Sequence, residues 1–131
     1  MRIYLDTAPV IYSVQQVTPY AEKVNAWLGP GSHILITSDL TRLECRVKPL
    51  RERNAIVLND FDTFFLETID EFIALSREVM DRATELRAHY RIPTADAIHV
   101  AAAMVGRCDL FLTNDHRLGR LNEITVEVIE Q

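Results

Sequence analysis

Two spacings of hydrophobic residues run along this chain. Short stretches are apolar at every position: Ile3-Tyr4-Leu5, Ile34 to Thr37 and Leu110 to Thr113. Such runs read as strands buried on both faces. Between them, apolar residues return every three or four positions, the spacing of a helix. Arg2 to Asp6 is predicted to be a strand ending on an acid. Thr7 is a candidate helix cap and Pro9 suits a first turn, with Val10, Ile11, Val14 and Val17 as the stripe until Thr18-Pro19 breaks it. A second helix is expected from about Tyr20 to Leu28, with Val24, Trp27 and Leu28 inward, stopped by Gly29-Pro30-Gly31. After the second strand, Ser38 and Asp39 open a helix carrying Leu40, Leu43, Glu44 and Val47, which Lys48-Pro49 should end.

Asn54 to Phe65 reads as a helix packing through Val57, Leu58, Phe61, Phe64 and Phe65. Glu67-Thr68-Ile69 is the expected third strand. Asp70 to Tyr90 reads as helical, in one or two segments, with Phe72, Ile73, Val79, Met80, Ala83 and Leu86 inward. Thr94 is placed to cap the next helix. From Ala95 to Val105 that helix is apolar on nearly every face except at Asp96 and His99, so it is expected to be buried. Gly106 ends it, and Arg107, Cys108 and Asp109 turn the chain into the Leu110 strand. Arg117 to Asn122 reads as a loop or short turn, and Thr125 to Ile129 as the last strand. Alternating strands and helices predict one α/β domain over residues 1–131, a three-layer α/β/α sandwich around a parallel sheet.

Composition narrows the class. The 131 residues are 48% hydrophobic, enough to bury roughly two thirds of the unfolded surface. Nothing approaches the ~18 apolar residues of a membrane span. The opening MRIYLDTAPVIY enters a strand directly and contains an acid, unlike a signal peptide. Cys45 and Cys108 form no C-x-x-C pair, which fits a reduced cytoplasm. His33, His89, His99 and His116 show no zinc spacing. The net charge of −5 argues against a generally basic nucleic-acid binder. Yet five basic residues cluster in Arg42 to Arg53 (Arg42, Arg46, Lys48, Arg51 and Arg53), as a solvated helix end or a phosphate-contacting rim.

Four acids carry the candidate chemistry. Asp6 ends the first strand, and Asp115 lies just past the Leu110 strand. Glu44 sits in an apolar context on the helix after the second strand, and Asp96 lies in the first turn of the buried helix. In open α/β sheets ligands bind beyond the carboxyl ends of the strands, where these acids would converge. Two like charges ~4 Å apart repel by roughly 1 kcal/mol in water and roughly 4 at an effective dielectric of 20. A cation offsets such crowding, and all-oxygen ligands without Cys or His select Mg²⁺ or Mn²⁺. The substrate that suits such a site is a phosphodiester, whose charge the ion would stabilise. Each acid also has an ordinary reading: a helix-dipole partner for Asp96, a turn residue for Asp115, a half-exposed helix residue for Glu44, a cap for Asp6. Their joint placement favours a site. Thr7 and Thr113 read as backbone caps that support it, and His99 and His116 as structural or surface residues rather than acid–base groups.

In order, YLDTAPVIY, LTRLECRV, PTADAIHVAAA and LFLTNDHRL resemble the PIN-domain nucleases, most of all the VapC-type toxins of bacterial toxin–antitoxin modules. That resemblance implies a parallel sheet in the order 3-2-1-4-5 and a Mg²⁺- or Mn²⁺-dependent endoribonuclease leaving a 5′-phosphate and a 3′-hydroxyl. It also implies a cytoplasmic homodimer inhibited by a cognate antitoxin. The family's acids fall on Asp6, Glu44, Asp96 and Asp115, and its hydroxyl on Thr113. Whether Arg46, Lys48 and Arg51 touch RNA, antitoxin or only water stays open, as does one metal against two. Three other readings compete: a PIN-like nucleic-acid-binding or interaction module without strong catalysis, an RNA- or DNA-processing nuclease outside a toxin–antitoxin system, and a phosphoacceptor receiver domain. The receiver lacks its paired acid beside Asp6 and its Lys after the last strand. Ala8 disfavours a D-x-D phosphatase.

Overall fold

A computed structural model describes residues 1–130. The strands are β1 (Arg2–Leu5), β2 (Ile34–Ser38), β3 (Glu71–Ile73), β4 (Leu110–Thr113) and β5 (Thr125–Val128). The helices are α1 (Thr7–Val14), α2 (Tyr20–Leu28), α3 (Asp39–Arg51), α4 (Ala55–Glu67), α5 (Arg77–Tyr90) and α6 (Thr94–Val105). A 3₁₀ turn spans His116–Arg120. The five strands form one parallel sheet in the order β3-β2-β1-β4-β5, with Ile3 beside Leu35 on one side and Leu110 on the other. This is the expected α/β/α sandwich.

The period of two along each strand builds the layers. Ile3, Leu5, Leu35, Leu110 and Leu112 face one way and pack with Val10, Val24, Cys45, Phe61 and Phe65 of α1 to α4. Tyr4, Ile36 and Phe111 face the other way, against Val79, Ala83 and Leu86 of α5 and the inner surface of α6. Ala101, Ala102 and Ala103 of α6 are fully buried there. Gly106 ends α6 with φ −73°, and a Cβ there would stand 2.6 Å from Ile73 Cδ1, so that side chain would have to shift.

Several boundaries differ from the sequence reading. The third strand is Glu71–Ile73 because α4 continues to Glu67, and Ile69 is buried in the connection. Asp70 joins the β2 edge instead: its N–H donates to Leu35 O, and its carboxylate accepts from Leu35 N–H, both at 2.8 Å. The helix expected from Asp70 starts only at Arg77, capped by the Ser76 hydroxyl. Pro49 lies within α3 with its ring buried, and the helix runs on to Arg51. Phe72 and Met80, expected inward, are exposed, as are Leu43 and Val47 on α3. The N-cap of α6 is Pro93, and Thr94 makes no capping bond. Val17 lies beyond α1, its N–H bonded to Tyr12 O, and the Thr18-Pro19 peptide is cis. Among the described residues, no helix is long and apolar enough to cross a membrane.

The alanines of α6 set how closely it approaches the sheet. Ala102→Leu is expected to overpack this layer and cost about 1–3 kcal/mol. Urea unfolding would show it as a lower midpoint at an unchanged slope.

Candidate active site

Strand order places β1 between β2 and β4, and the chain crosses from the β2–β3 side to the β4–β5 side. The carboxyl ends of β1 and β4 therefore flank the switch point, where a crevice opens. Asp6 follows β1 directly and Asp115 follows β4 by two residues. Glu44 on α3 and Asp96 in the first turn of α6 reach the same edge.

Asp6 is buried and held from two sides. Its Oδ1 accepts from Thr7 N–H at 2.8 Å, which makes it the N-cap of α1. Its Oδ2 accepts from the Thr113 hydroxyl at 2.7 Å, and Thr113 Oγ1 in turn accepts from Asp115 N–H at 3.2 Å. The two threonines read as caps thus serve carboxylates. Thr113 ties the acid after β1 to the segment after β4, and the Thr7 hydroxyl donates to Glu44 Oε1 at 2.7 Å.

His99, read from the sequence as a structural or surface residue rather than an acid–base group, lies buried at the centre of this cluster. It is 1% exposed. Its Nε2 is 2.6 Å from Glu44 Oε1 and 3.5 Å from Asp6 Oδ1, and its Nδ1 is 2.9 Å from the Tyr4 hydroxyl, itself 2.8 Å from Ser38 Oγ. Burial pulls the imidazole pKa down. The hydrogen bond to Glu44 and the charges of Asp6, Glu44 and Asp96 outweigh it, and the pKa stands above its usual 6.5. The same hydrogen bond, aided by Thr7 and opposed by burial, holds the Glu44 carboxyl below its ordinary range. Tyr4, fully desolvated, is pushed far up and stays a neutral hydroxyl.

Asp96 goes the other way: burial, then the charges of Asp6 and Asp115, raise its carboxyl pKa. Burial leads, and the like charges of two neighbouring acids add to it. Asp115 is held below its usual range by hydrogen bonds from the Arg117 guanidinium. Arg117 had no place in the sequence reading, because a turn residue follows no periodicity. The signal for His99 was present: it lies three residues after Asp96, on the same face of an otherwise apolar helix. His116 is exposed and pairs with Glu130 instead. Arg46 is bound to Asp62 of α4 at 2.8 Å, while Lys48 and Arg51 are exposed.

Among the described residues, no three acid, imidazole or thiol groups already enclose a metal position. Glu44 Oε1 is engaged by Thr7 and His99, and Asp115 by Arg117. The donor set nonetheless fits a hard divalent ion: carboxylate oxygens from four elements, one of them electrostatically strained, with a guanidinium beside two of them.

The PIN domain family model matches residues 3–124. The chain belongs to the PIN-domain family. This PIN domain shares its fold with VapBC2 from Rickettsia felis bound to a promoter DNA fragment (TM-score 0.79, 15% identity, covering 99% of this chain and 100% of that one). It is similar too to a toxin–antitoxin complex from Klebsiella pneumoniae (0.75, 18%, 98% of each chain) and to FitAcB from Neisseria gonorrhoeae (0.69, 20%, 95% of each). No curated protein sequence matches it.

Two outcomes follow for the metal-free protein. Asp96→Asn removes a charge that its neighbours oppose, so it should raise the melting temperature at neutral pH. For a half-buried, solvent-screened group the gain is at most about 1 kcal/mol, up to about 4 °C by calorimetry. His99 has a raised folded pKa, so its protonation stabilises the fold fully below pH 6.5, and this is lost as pH rises through the folded value. The melting advantage of the unsubstituted protein over His99→Gln should therefore shrink as the pH rises above about 6.5.

Proposed function

We propose that this protein is a VapC-type toxin: a Mg²⁺- or Mn²⁺-dependent endoribonuclease that hydrolyses RNA phosphodiester bonds and is neutralised by a cognate antitoxin. The observation that carries this reading is the convergence of Asp6, Glu44, Asp96 and Asp115 at the switch point of a PIN domain. The toxin–antitoxin complexes that share the fold support the antitoxin partner. A homodimer acting in the cytoplasm goes with the same reading.

Asp6, Asp96 and Asp115, with Glu44 directly or through water, would hold the ion. When bound, the ion supplies positive charge to the phosphate oxygens and makes water a better nucleophile. The remaining work falls to the chain. Thr113 and the Thr7 N–H fix Asp6 so that it cannot turn away. His99 and Thr7 take Glu44 Oε1, which leaves Oε2 to orient the attacking water and accept its proton. Tyr4 and Ser38 hold the far nitrogen of His99 and so set its ring plane. Lys48 and Arg51, exposed on α3, are proposed contacts for the RNA backbone or the antitoxin, and Arg46 joins them only by leaving Asp62.

Purified protein should cleave single-stranded RNA with Mn²⁺ or Mg²⁺ and stop with EDTA. Asp6→Asn and Asp96→Asn should each lower the rate on the order of 100-fold or more while keeping the fold by circular dichroism. Sequencing the ends should show a 5′-phosphate and a 3′-hydroxyl. RNA binding without metal-dependent cleavage would make this a binding module. If Lys48 and Arg51 contact phosphates, each contributes about −0.7 to the slope of log affinity against log salt, and the double alanine variant flattens it.

A further inference from the structure

Among the described residues, Arg117 is the Arg or Lys side chain that pairs with members of the acidic cluster, and it pairs with two. It sits in the 3₁₀ turn that Asp115 caps, with its own N–H on Asp115 Oδ1 at 2.9 Å. Its Nε lies 3.0 and 3.2 Å from the two Asp115 oxygens, and its Nη2 lies 2.6 Å from Oδ2. The same Nη2 is 3.8 Å from Asp96 Oδ2. One nitrogen therefore stands between carboxylates from two elements, where a site for a divalent ion needs its positive charge. Both Asp115 oxygens are engaged by this side chain, and a second cation cannot use the same lone pairs at the same time.

The grip is reversible by construction. The Arg117 side chain is 68% exposed, so it can swing into solvent without repacking anything. An ion pair this exposed is weak, and a divalent ion competes well against it.

We propose that Arg117 is an exchangeable counter-cation of the site: it holds Asp115 and Asp96 in the metal-free protein and competes with the divalent ion for their oxygens. This rests on the metal-dependent reading above. If the guanidinium covers the acids nine-tenths of the time, apparent metal affinity falls about tenfold.

The test is Mn²⁺ titration by calorimetry, without RNA, of the unsubstituted protein and of Arg117→Ala, Arg117→Gln and Arg117→Lys, with melting curves at zero and saturating Mn²⁺. Ala and Gln variants are expected to bind Mn²⁺ about tenfold more tightly. They should melt lower than the unsubstituted protein without metal, and this gap should close at saturating Mn²⁺. Lysine keeps the charge without the two-point grip, and should also tighten binding. Equal Mn²⁺ affinity of the Ala variant and the unsubstituted protein overturns the proposal. So does a melting gap that persists with Mn²⁺, or a Lys variant that matches the unsubstituted protein, which would leave local charge as the cause. If no variant binds Mn²⁺ at all, the metal reading itself fails and this proposal with it.

Discussion

Like charges at one sheet edge repel, and the structure around Asp6, Glu44, Asp96 and Asp115 is arranged to keep them there. Three of the four carboxylates are fixed in orientation by close donors. Asp6 is clamped by a backbone N–H and a threonine hydroxyl, Glu44 by a hydroxyl and an imidazole, and Asp115 by a guanidinium. Only Asp96 lacks a close internal donor, with Arg117 no nearer than 3.8 Å, and it is the acid whose proton is held more tightly than usual.

The scaffold makes this arrangement rigid. Tyr4 is central to both jobs. Its ring stacks on Phe111 at 5.4 Å in the α5–α6 layer, and its hydroxyl supports His99. Small residues let α6 lie close to the sheet and bring Asp96 and His99 to the edge together. Every buried side-chain polar atom among the described residues has a partner, so the polar network costs little in unsatisfied groups.

Much of the fold was legible in the sequence. Runs of three consecutive apolar residues read as strands covered on both faces, so the parallel, doubly covered architecture followed from them. Asp6 and Asp115 are candidates because they follow such runs, and Glu44 and Asp96 because of their places on helices of otherwise apolar context. Boundaries were less legible where two interactions compete. Pro49 reads as a stop, yet its ring finds a buried seat in the last turns of α3. Glu67-Thr68-Ile69 has strand character, but Phe61 and Phe65 keep α4 going, and Asp70 makes the edge contact.

The sequence by itself determined the layers and pointed to four candidate acids near one strand edge, because periodicity and position within an element are local properties. Only the tertiary structure decided what each acid touches. His99 reaches Glu44 from 55 residues away and Thr113 reaches Asp6 from 107, through hydrogen bonds that leave no trace in local patterning. Arg117 turns back on Asp115 because a 3₁₀ turn points it there. Side-chain partnership depends on distances between elements, and those are fixed only when both cores are packed.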